Sequence, residues 1–470
     1  MSINQFNLDN EDFRNHLYNQ SKDGKRLWIY PGRIIGKLYK IRTVVSWILL
    51  TALFGLPWLQ HEGHPLFMFN FIERQFIFFG VPFFPQDFHL VALGLVSFLI
   101  FISLFTVLFG RVWCGWACPQ TIFMEMVFRK IEYWVDGDAA QQKALLRMPW
   151  NGEKIRKRVL KFSLFILFSF LVGNTFLSYL IGTDHLWAII TEPLSQHIGG
   201  FVLMLLFTGV FLFIYAWFRE QVCLVVCPYG RMQGVLLDKK SIIVTYDHVR
   251  GEPRHKAHKG EKRTGEGDCI DCLACVHVCP TGIDIRNGTQ LECVNCTACI
   301  DACDSIMESV HQPIGLIRYD SEEGVSTKTP WRITPRVIGY SIILLLIVGL
   351  EITLLATRSD IGMSIIRARG TLFTTEADGS ISNLYNIKLI NKTEADMKVE
   401  LRLKEHEGHV KWIGHDPVIP AAGTLDAEFF LNVANDNIHE QKNKWKMECW
   451  VNGEKIGSDN ITFIAPHQTK

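Results

Sequence analysis

Residues 269–303 read CIDCLACVHVCPTGIDIRNGTQLECVNCTACIDAC. The eight cysteines fall as Cys269, Cys272, Cys275 and Cys279, then as Cys293, Cys296, Cys299 and Cys303, so C-x2-C-x2-C-x3-C is written twice. Each run sets four soft thiolates on a short loop, the spacing of bacterial two-cluster ferredoxins. An iron–sulfide cube takes four thiolates and excludes water. Three come from the short gaps of one run, and the fourth comes from the distant run. One [4Fe–4S] cluster is therefore expected on Cys269, Cys272, Cys275 and Cys303, and a second on Cys293, Cys296, Cys299 and Cys279. Zinc fits less well, because its sites use separated C-x2-C pairs. Disulfides need an oxidising compartment. Two features depart from the usual run: Cys303 is followed by Asp304 rather than proline, and the two halves are close together. The chemistry implied is transfer of single electrons.

Outward from this stretch, the 470-residue chain carries a formal net charge of +1, which argues against a nucleic-acid binder. Hydrophobic residues make up 48%, with 32 Phe and 13 Trp, and the mean hydropathy is +0.14. These values point to a membrane protein with interfacial aromatics. Five apolar runs are near the length that crosses the hydrocarbon: Thr43–Leu59, Phe88–Phe109, Leu160–Ile181, Gly199–Phe218 and Val337–Ala356. Phe76–Phe84 is too short and reads as re-entrant or interfacial. Met1–Lys40 reads as a polar, basic arm with no cleavable signal peptide, and Lys22, Lys25, Arg26 and Arg33 lie in it.

The basic residues set an expected orientation. The loop after the second run holds Arg111, Arg129, Lys130, Arg147, Lys154, Arg156, Lys157 and Arg158, whereas residues 182–198 have no Lys or Arg and the loop after the first run has Arg74 alone. The N-terminus, that basic loop and residues 219–336 are expected in the cytoplasm, with everything after Ala356 outside. The stretch Pro253–Gly267 reads as a flexible, solvated tether. From Ser380 on, short alternating runs (Leu384–Ile390, Met397–Leu403, Leu425–Leu431, Trp445–Val451, Ile461–Ile464) suggest an antiparallel sandwich of immunoglobulin type. Cys449 has no disulfide partner there and reads as a core thiol.

A second sulfur pattern stands apart. The second apolar run leads into Cys114-Gly-Trp-Ala-Cys118-Pro119, and the fourth into Cys223-Leu-Val-Val-Cys227-Pro228. At i, i+4 on a helix two thiols share a face, and proline is expected to stop the helix there. Paired thiolates suit a soft ion, Cu(I) first; zinc, a further cluster and a plain helix contact remain open. Arg111 and Glu220, each three residues before the first cysteine of its pair, either tune the thiols or anchor the interface. Histidines 61, 64, 89, 185 and 197 on the outer loops, and 248, 255 and 258 inside, read as polar surface, with no i, i+4 pair in a span for haem.

These residues resemble a known family. The twin C-x3-C-P units, the phrase CPYGRMQ, the stretch YDHVRGEPR and the run CPTGIDIRNGTQLECVNCTACIDACD are similar to the cytochrome c oxidase accessory protein family CcoG, also called FixG or RdxA. The Cys303-Asp304 ending is in keeping with it. The resemblance implies a bacterial inner-membrane protein that reduces cupric ion and supplies Cu(I) for assembly of the C-type haem–copper cytochrome c oxidase. It implies cluster ligation by the eight cysteines and copper ligation by Cys114, Cys118, Cys223 and Cys227. Expected partners are the membrane, a cytoplasmic electron donor, a copper chaperone or exporter, and oxidase assembly factors. The expected layout is a basic arm (1–42), a four-span region (43–219), a ferredoxin-type α+β segment (220–336), a fifth transmembrane helix (337–356) and an all-β immunoglobulin-like domain (357–470). Two rivals are a membrane ferredoxin subunit that exchanges electrons with quinol, and a redox-sensing scaffold without catalysis.

Overall fold

The computed structural model describes residues 26–466, apart from 62–63, 71–74, 85–86, 257–265, 359–360, 369, 371, 377–378, 394, 405, 415–416, 422, 436–437, 439 and 452. Most of the basic arm (Lys22 and Lys25 included), Arg74, His258 and the middle of the 253–267 tether lie outside the described residues.

Five helices are long and apolar enough to cross a membrane: Lys37–Trp58, Phe88–Phe109, Gly152–Ile181, Ile198–Phe218 and Pro335–Ala356. All five overlap the apolar runs of the sequence. The third starts eight residues before its run, because the charged Gly152–Val159 stretch has no breaker and Asn151 caps it, its side chain accepting from Lys154 N at 2.9 Å. At about 1.5 Å per residue, its 30 residues reach well beyond the hydrocarbon.

The chain forms two compact units. The first comprises residues 1–58 and 95–347. Its membrane part is organised around a helical stretch running from Pro119 to Val135, with a π-helical segment at Phe123–Phe128. That segment is buried in the bundle. Phe128 stacks on Tyr215 at 4.3 Å and meets Phe165 edge-on at 4.9 Å, which ties it to the fourth and third spans. In the same unit the strand Ile243–Tyr246 pairs antiparallel with Ile317–Asp320. Helices Ala274–His277 and Ala298–Ser309 begin just before the third cysteine of each run, Cys275 and Cys299. The core between them is Val244, Tyr246, Ile285, Ile300, Met307, Leu316 and Ile317, with Cys269, Cys275 and Cys303 built into it.

The second unit comprises residues 59–94 and 348–470. Its main body is a sandwich. One sheet orders His409–Trp412, Thr424–Val433, Ile381–Asn391 and Ile361–Arg367; the other orders Glu400–Leu403, Lys442–Val451 and Glu454–Ile464. Tyr385, Leu389, Phe429, Met447, Cys449 and Phe463 fill the core between them. Cys449 is a free, buried thiol, as expected. The strand Ile361–Arg367 precedes the point where the alternation of the sequence becomes plain, and it pairs with the strand Ile381–Asn391 from Asn391↔Ile361 to Tyr385↔Arg367.

The stretch Phe76–Phe84, expected as re-entrant or interfacial, forms β-structure. Gln75–Phe78 and Val81–Phe83 join Phe67–Asn70 in a three-stranded antiparallel meander, with the turn at Phe79-Gly80, where both residues take positive φ. Period-two aromatic residues pair across strands, and Pro82 sits on an edge strand, where a missing N–H is harmless.

Candidate metal centres

The two cysteine runs fold as near-copies. In the first, Asp271 and Leu273 take left-handed φ values of 49° and 58°; in the second, Asn295 and Thr297 take 53° and 66°. These are the second and fourth residues after the first cysteine of each run. Left-handed backbone is uncommon for non-glycine residues and strained for a β-branched one such as Thr297. The repetition bends each C-x2-C-x2-C loop the same way, so that its three thiols converge and a helix starts at Ala274 or Ala298.

The thiols then group across the runs. A cavity is lined by five cysteines, Cys275, Cys279, Cys293, Cys296 and Cys299, with Val244, Pro280, Ile283, Ile285 and Ala298 as apolar walls. Burial pushes Cys293 up to about 12 and Cys296 up to about 11, and neighbouring Cys279 adds to both. Burial raises Cys279 too, against backbone N–H groups of Thr281, Ile283 and Gly282 that point at its sulfur. Cys303 is pushed up to about 12 by burial, then by Cys272, with Cys269 also near. Cys275, raised mainly by burial, feels Cys303 and Cys272. Thiols of the two runs are thus neighbours, Cys279 beside Cys293 and Cys296, and Cys303 beside Cys272 and Cys269. Cys272 is the exposed member of the eight. Dry, thiol-rich cavities with N–H groups aimed at sulfur fit an anionic iron–sulfur cube.

The helical segments that carry the C-x3-C-P pairs stop before the prolines, at Trp116 and Val226, as expected. The prolines also begin the next helices. Cys118 and Cys227 are extended residues that precede Pro119 and Pro228, which open the next helices. Proline's fixed φ and missing N–H suit the first helical position. Each pair therefore spans a break between two helices. The four thiols are neighbours: Cys114 feels Cys118 and Cys227, and Cys223 feels Cys118, Cys114 and Cys227. Burial pushes Cys114 up to about 11 and Cys223 up to about 12, so both are protonated at neutral pH and must release protons to bind a metal. Among the described residues, no three His, Cys, Asp or Glu side chains stand ready around one mononuclear metal ion. Two-coordinate thiolate binding, available to Cu(I), asks for less.

The two sulfur regions are in direct contact. Gly115, between Cys114 and Cys118, lies against the second cluster loop, where an added Cβ would stand 2.4 Å from Val294 O and 3.0 Å from the Asn295 backbone. Cys114 packs on Val294, Cys296 and Ala298. Trp116 Nε1 donates to Asn295 O at 3.3 Å and to Tyr319 Oη at 3.2 Å, and Tyr319 Oη donates to the same Asn295 O at 3.1 Å.

Comparison with known proteins adds the family. A model of a 4Fe-4S dicluster domain matches residues 218–322, a model of a 4Fe-4S binding domain matches 91–137, and a model of the IG-like fold at the C-terminus of FixG matches 352–466. Protein RdxB of Cereibacter sphaeroides is 33% identical over 93% of this chain and 96% of its own length. Protein RdxA of the same organism is 36% identical over 81% and 83%, and the nitrogen fixation protein FixG of Rhizobium meliloti is 32% identical over 81% and 80%. The chain belongs to the FixG/RdxA family. As a FixG/RdxA protein it is an iron–sulfur membrane protein with two 4Fe–4S clusters and an immunoglobulin-like C-terminal domain.

Several residues of this FixG/RdxA chain escaped the reading of the sequence. Gln233 is wholly buried and its Nε2 reaches Cys114 Sγ at 3.4 Å. Arg219, just before the second pair, closes a two-pronged hydrogen bond on Glu132 at 3.0 and 2.8 Å, and Lys161 joins Glu132 at 2.8 Å and Asp136 at 2.9 Å. Glu220, which the sequence did single out, pairs with Arg26 at 2.8 Å and so holds the N-terminal segment. An intramembrane or interfacial lysine in a positive-inside pattern looks like an orientation signal; only the fold shows that Lys161 has buried partners.

Proposed function

We propose that this protein is a cupric reductase that feeds Cu(I) to assembly of the C-type haem–copper oxidase. In this reading the eight cysteines of residues 269–303 hold the two clusters in the crossed sets given above, and Cys114, Cys118, Cys223 and Cys227 receive copper. The clusters supply one-electron chemistry when bound. The chain supplies the rest. The exposed Cys272 marks the side from which a cytoplasmic donor reaches the first set. The buried Val294–Cys296 loop carries the electron to the thiol quartet. Each turnover takes one electron from the donor and converts one Cu(II) to Cu(I), and the soft thiolates favour the product.

The observation that carries this reading is the packing of Cys114 and Gly115 on Val294, Asn295 and Cys296. This contact supports a short path from the cluster loop to the first thiol pair. The basic-loop asymmetry supports a cytoplasmic cluster segment in the bacterial inner membrane, with the immunoglobulin-like domain on the outer side. The same asymmetry and the composition shifts support the layout of a basic arm, four spans, a cluster segment, a fifth span and an outer domain.

The test is Cys114→Ala with Cys118→Ala in anaerobically purified protein. Copper binding and cupric reduction by pre-reduced protein are expected to disappear while iron and sulfide content stay at the wild-type level. Unchanged reduction would remove the thiol pair from the reaction.

A further inference from the structure

Two buried arginines flank the second cluster loop and lack a counter-charge. Arg42, 2% exposed, donates from Nε to Gly115 O at 2.7 Å, and its Nη2 has no hydrogen-bond partner. Arg111, 4% exposed, donates to Gly230 O, and its Nε has none. Among the described residues neither has a carboxylate within ion-pair distance. Glu125, which also feels Cys296, is held by Arg129 at 3.0 Å. An isolated buried guanidinium is costly unless something anionic repays it.

The anion is placed by the surroundings. Arg42 binds the carbonyl of Gly115, which itself lies against Val294 O and the Asn295 backbone, and Arg111 adjoins Gly110, where an added Cβ would stand 3.0 Å from Asn295 Nδ2. The first set of cysteines is served differently. Its arginines are already spoken for: Arg286 by Asp284 at 2.6 Å and by Asp271, and Arg250 by Asp268. Asp304 directly follows Cys303. Beside the second loop stand two buried guanidiniums without a carboxylate partner among the described residues, whereas the arginines beside the first are paired with carboxylates.

We propose that Arg42 and Arg111 are positioning residues whose charges repay the negative charge gained on reduction of the centre at Cys279, Cys293, Cys296 and Cys299, making it the higher-potential centre of the two. This rests on the cluster reading above. Burial alone would lower that potential, since a low dielectric penalises added negative charge; the two unpaired cations reverse the order. An electron given by the donor to the first set is thereby drawn to the second, beside Cys114. Each transfer is a one-electron oxidation of one centre and reduction of the other, with no bond made or broken.

The experiment is potentiometric titration of the full-length, detergent-solubilised protein, followed by electron paramagnetic resonance, for wild type, Arg42→Gln, Arg111→Gln and the two Lys variants. The expected result is a one-electron reduction equilibrium for one signal weakened at least tenfold in each Gln variant, which is about 59 mV. The other signal stays in place, and Lys restores most of the shift. Unchanged potentials, or equal movement of both signals, overturn the assignment. A Cys293→Ser variant identifies the signals without touching either arginine. If it perturbs the lower-potential signal, the proposed order is wrong even where the Gln variants do not fold. Wild-type protein with far fewer than roughly eight iron atoms per chain, the content of two four-iron centres, would instead sink the cluster reading itself.

Discussion

The carboxylate of Asp301 accepts the backbone N–H of Tyr39 at 2.7 Å, and its other oxygen accepts Leu38 N at 3.1 Å. Asp301 lies between Cys299 and Cys303, and Leu38 and Tyr39 open the first membrane helix, which has no cap of its own at Gly36. A cysteine-run residue thus caps a transmembrane helix from 262 positions away. Free N–H groups and the positive end of the helix dipole both favour a carboxylate there. Asp301→Ala should cost about 1–2 kcal/mol and lower the melting temperature of the solubilised protein. Gly36→Ala should match or exceed it, because its Cβ would fall within 2.4 Å of the Asp301 side chain. An unshifted melt in both variants would show that this cap holds nothing.

Gly115 tests the contact between the two sulfur regions without removing a thiol. A methyl group there would collide with backbone, which cannot rotate away. Gly115→Ala should keep full iron content and lose most cupric reduction, as the thiol loop is pushed off Val294 and Asn295. Gly55→Ala, where nothing lies within 4 Å, is the control and should be neutral. Stopped-flow oxidation of the reduced protein by Cu(II) separates the two: slow in the first, unchanged in the second.

Much of this was legible in the sequence, and the division has a physical basis. Period and length mark the apolar helices because a bilayer imposes them. Cysteine spacing marks the cluster loops because four thiolates must surround one cube. The contacts of Asp301, Gly115 and Arg42 were not legible, since each joins segments far apart in the chain and leaves no local pattern. The prolines after Cys118 and Cys227 were half legible. The stop before each was expected, but the same ring that forbids a helix interior also favours a helix start, and the restart at Pro119 and Pro228 leaves no separate mark.

Glu132 should dominate the acid stability of the membrane-surface core. Burial works against its charge, but Arg219, Lys161 and Arg129 overcome that and hold the carboxyl down to about 2 from an ordinary 4.5. The folded value is depressed, so the stabilisation is complete above pH about 4.5 and is lost as pH falls toward 2. Glu132→Gln leaves Arg219 and Lys161 buried with less anionic charge and should cost about 3–5 kcal/mol at neutral pH. It should also flatten the stability profile between those two pH values. Thermal melts of wild type and variant across that range check both effects. A variant that loses stability by the same amount at pH 2.5 and pH 7 would mean that Glu132 acts by shape rather than charge.

The second unit has its own buried ionic tie. Asp87 stands just before the second span, and its two oxygens meet Arg358 and Lys392, each at 2.7 Å. Arg358 follows the fifth span, and Lys392 follows the sandwich strand Ile381–Asn391, so one carboxylate joins three separate segments of that unit. Burial raises the Asp87 carboxyl, but the Lys392 and Arg358 hydrogen bonds outweigh it and hold the group below its ordinary range. Removing the carboxylate strands two cations. Asp87→Ala should therefore destabilise the unit by about 3–5 kcal/mol, whereas Asp87→Ala combined with Lys392→Met should recover part of the loss, because one unpaired charge goes with it. Limited proteolysis between residues 59 and 94 reads the outcome directly. Cleavage should be fast in the single variant and slower in the double. Equal rates would mean that the three segments are held by packing alone.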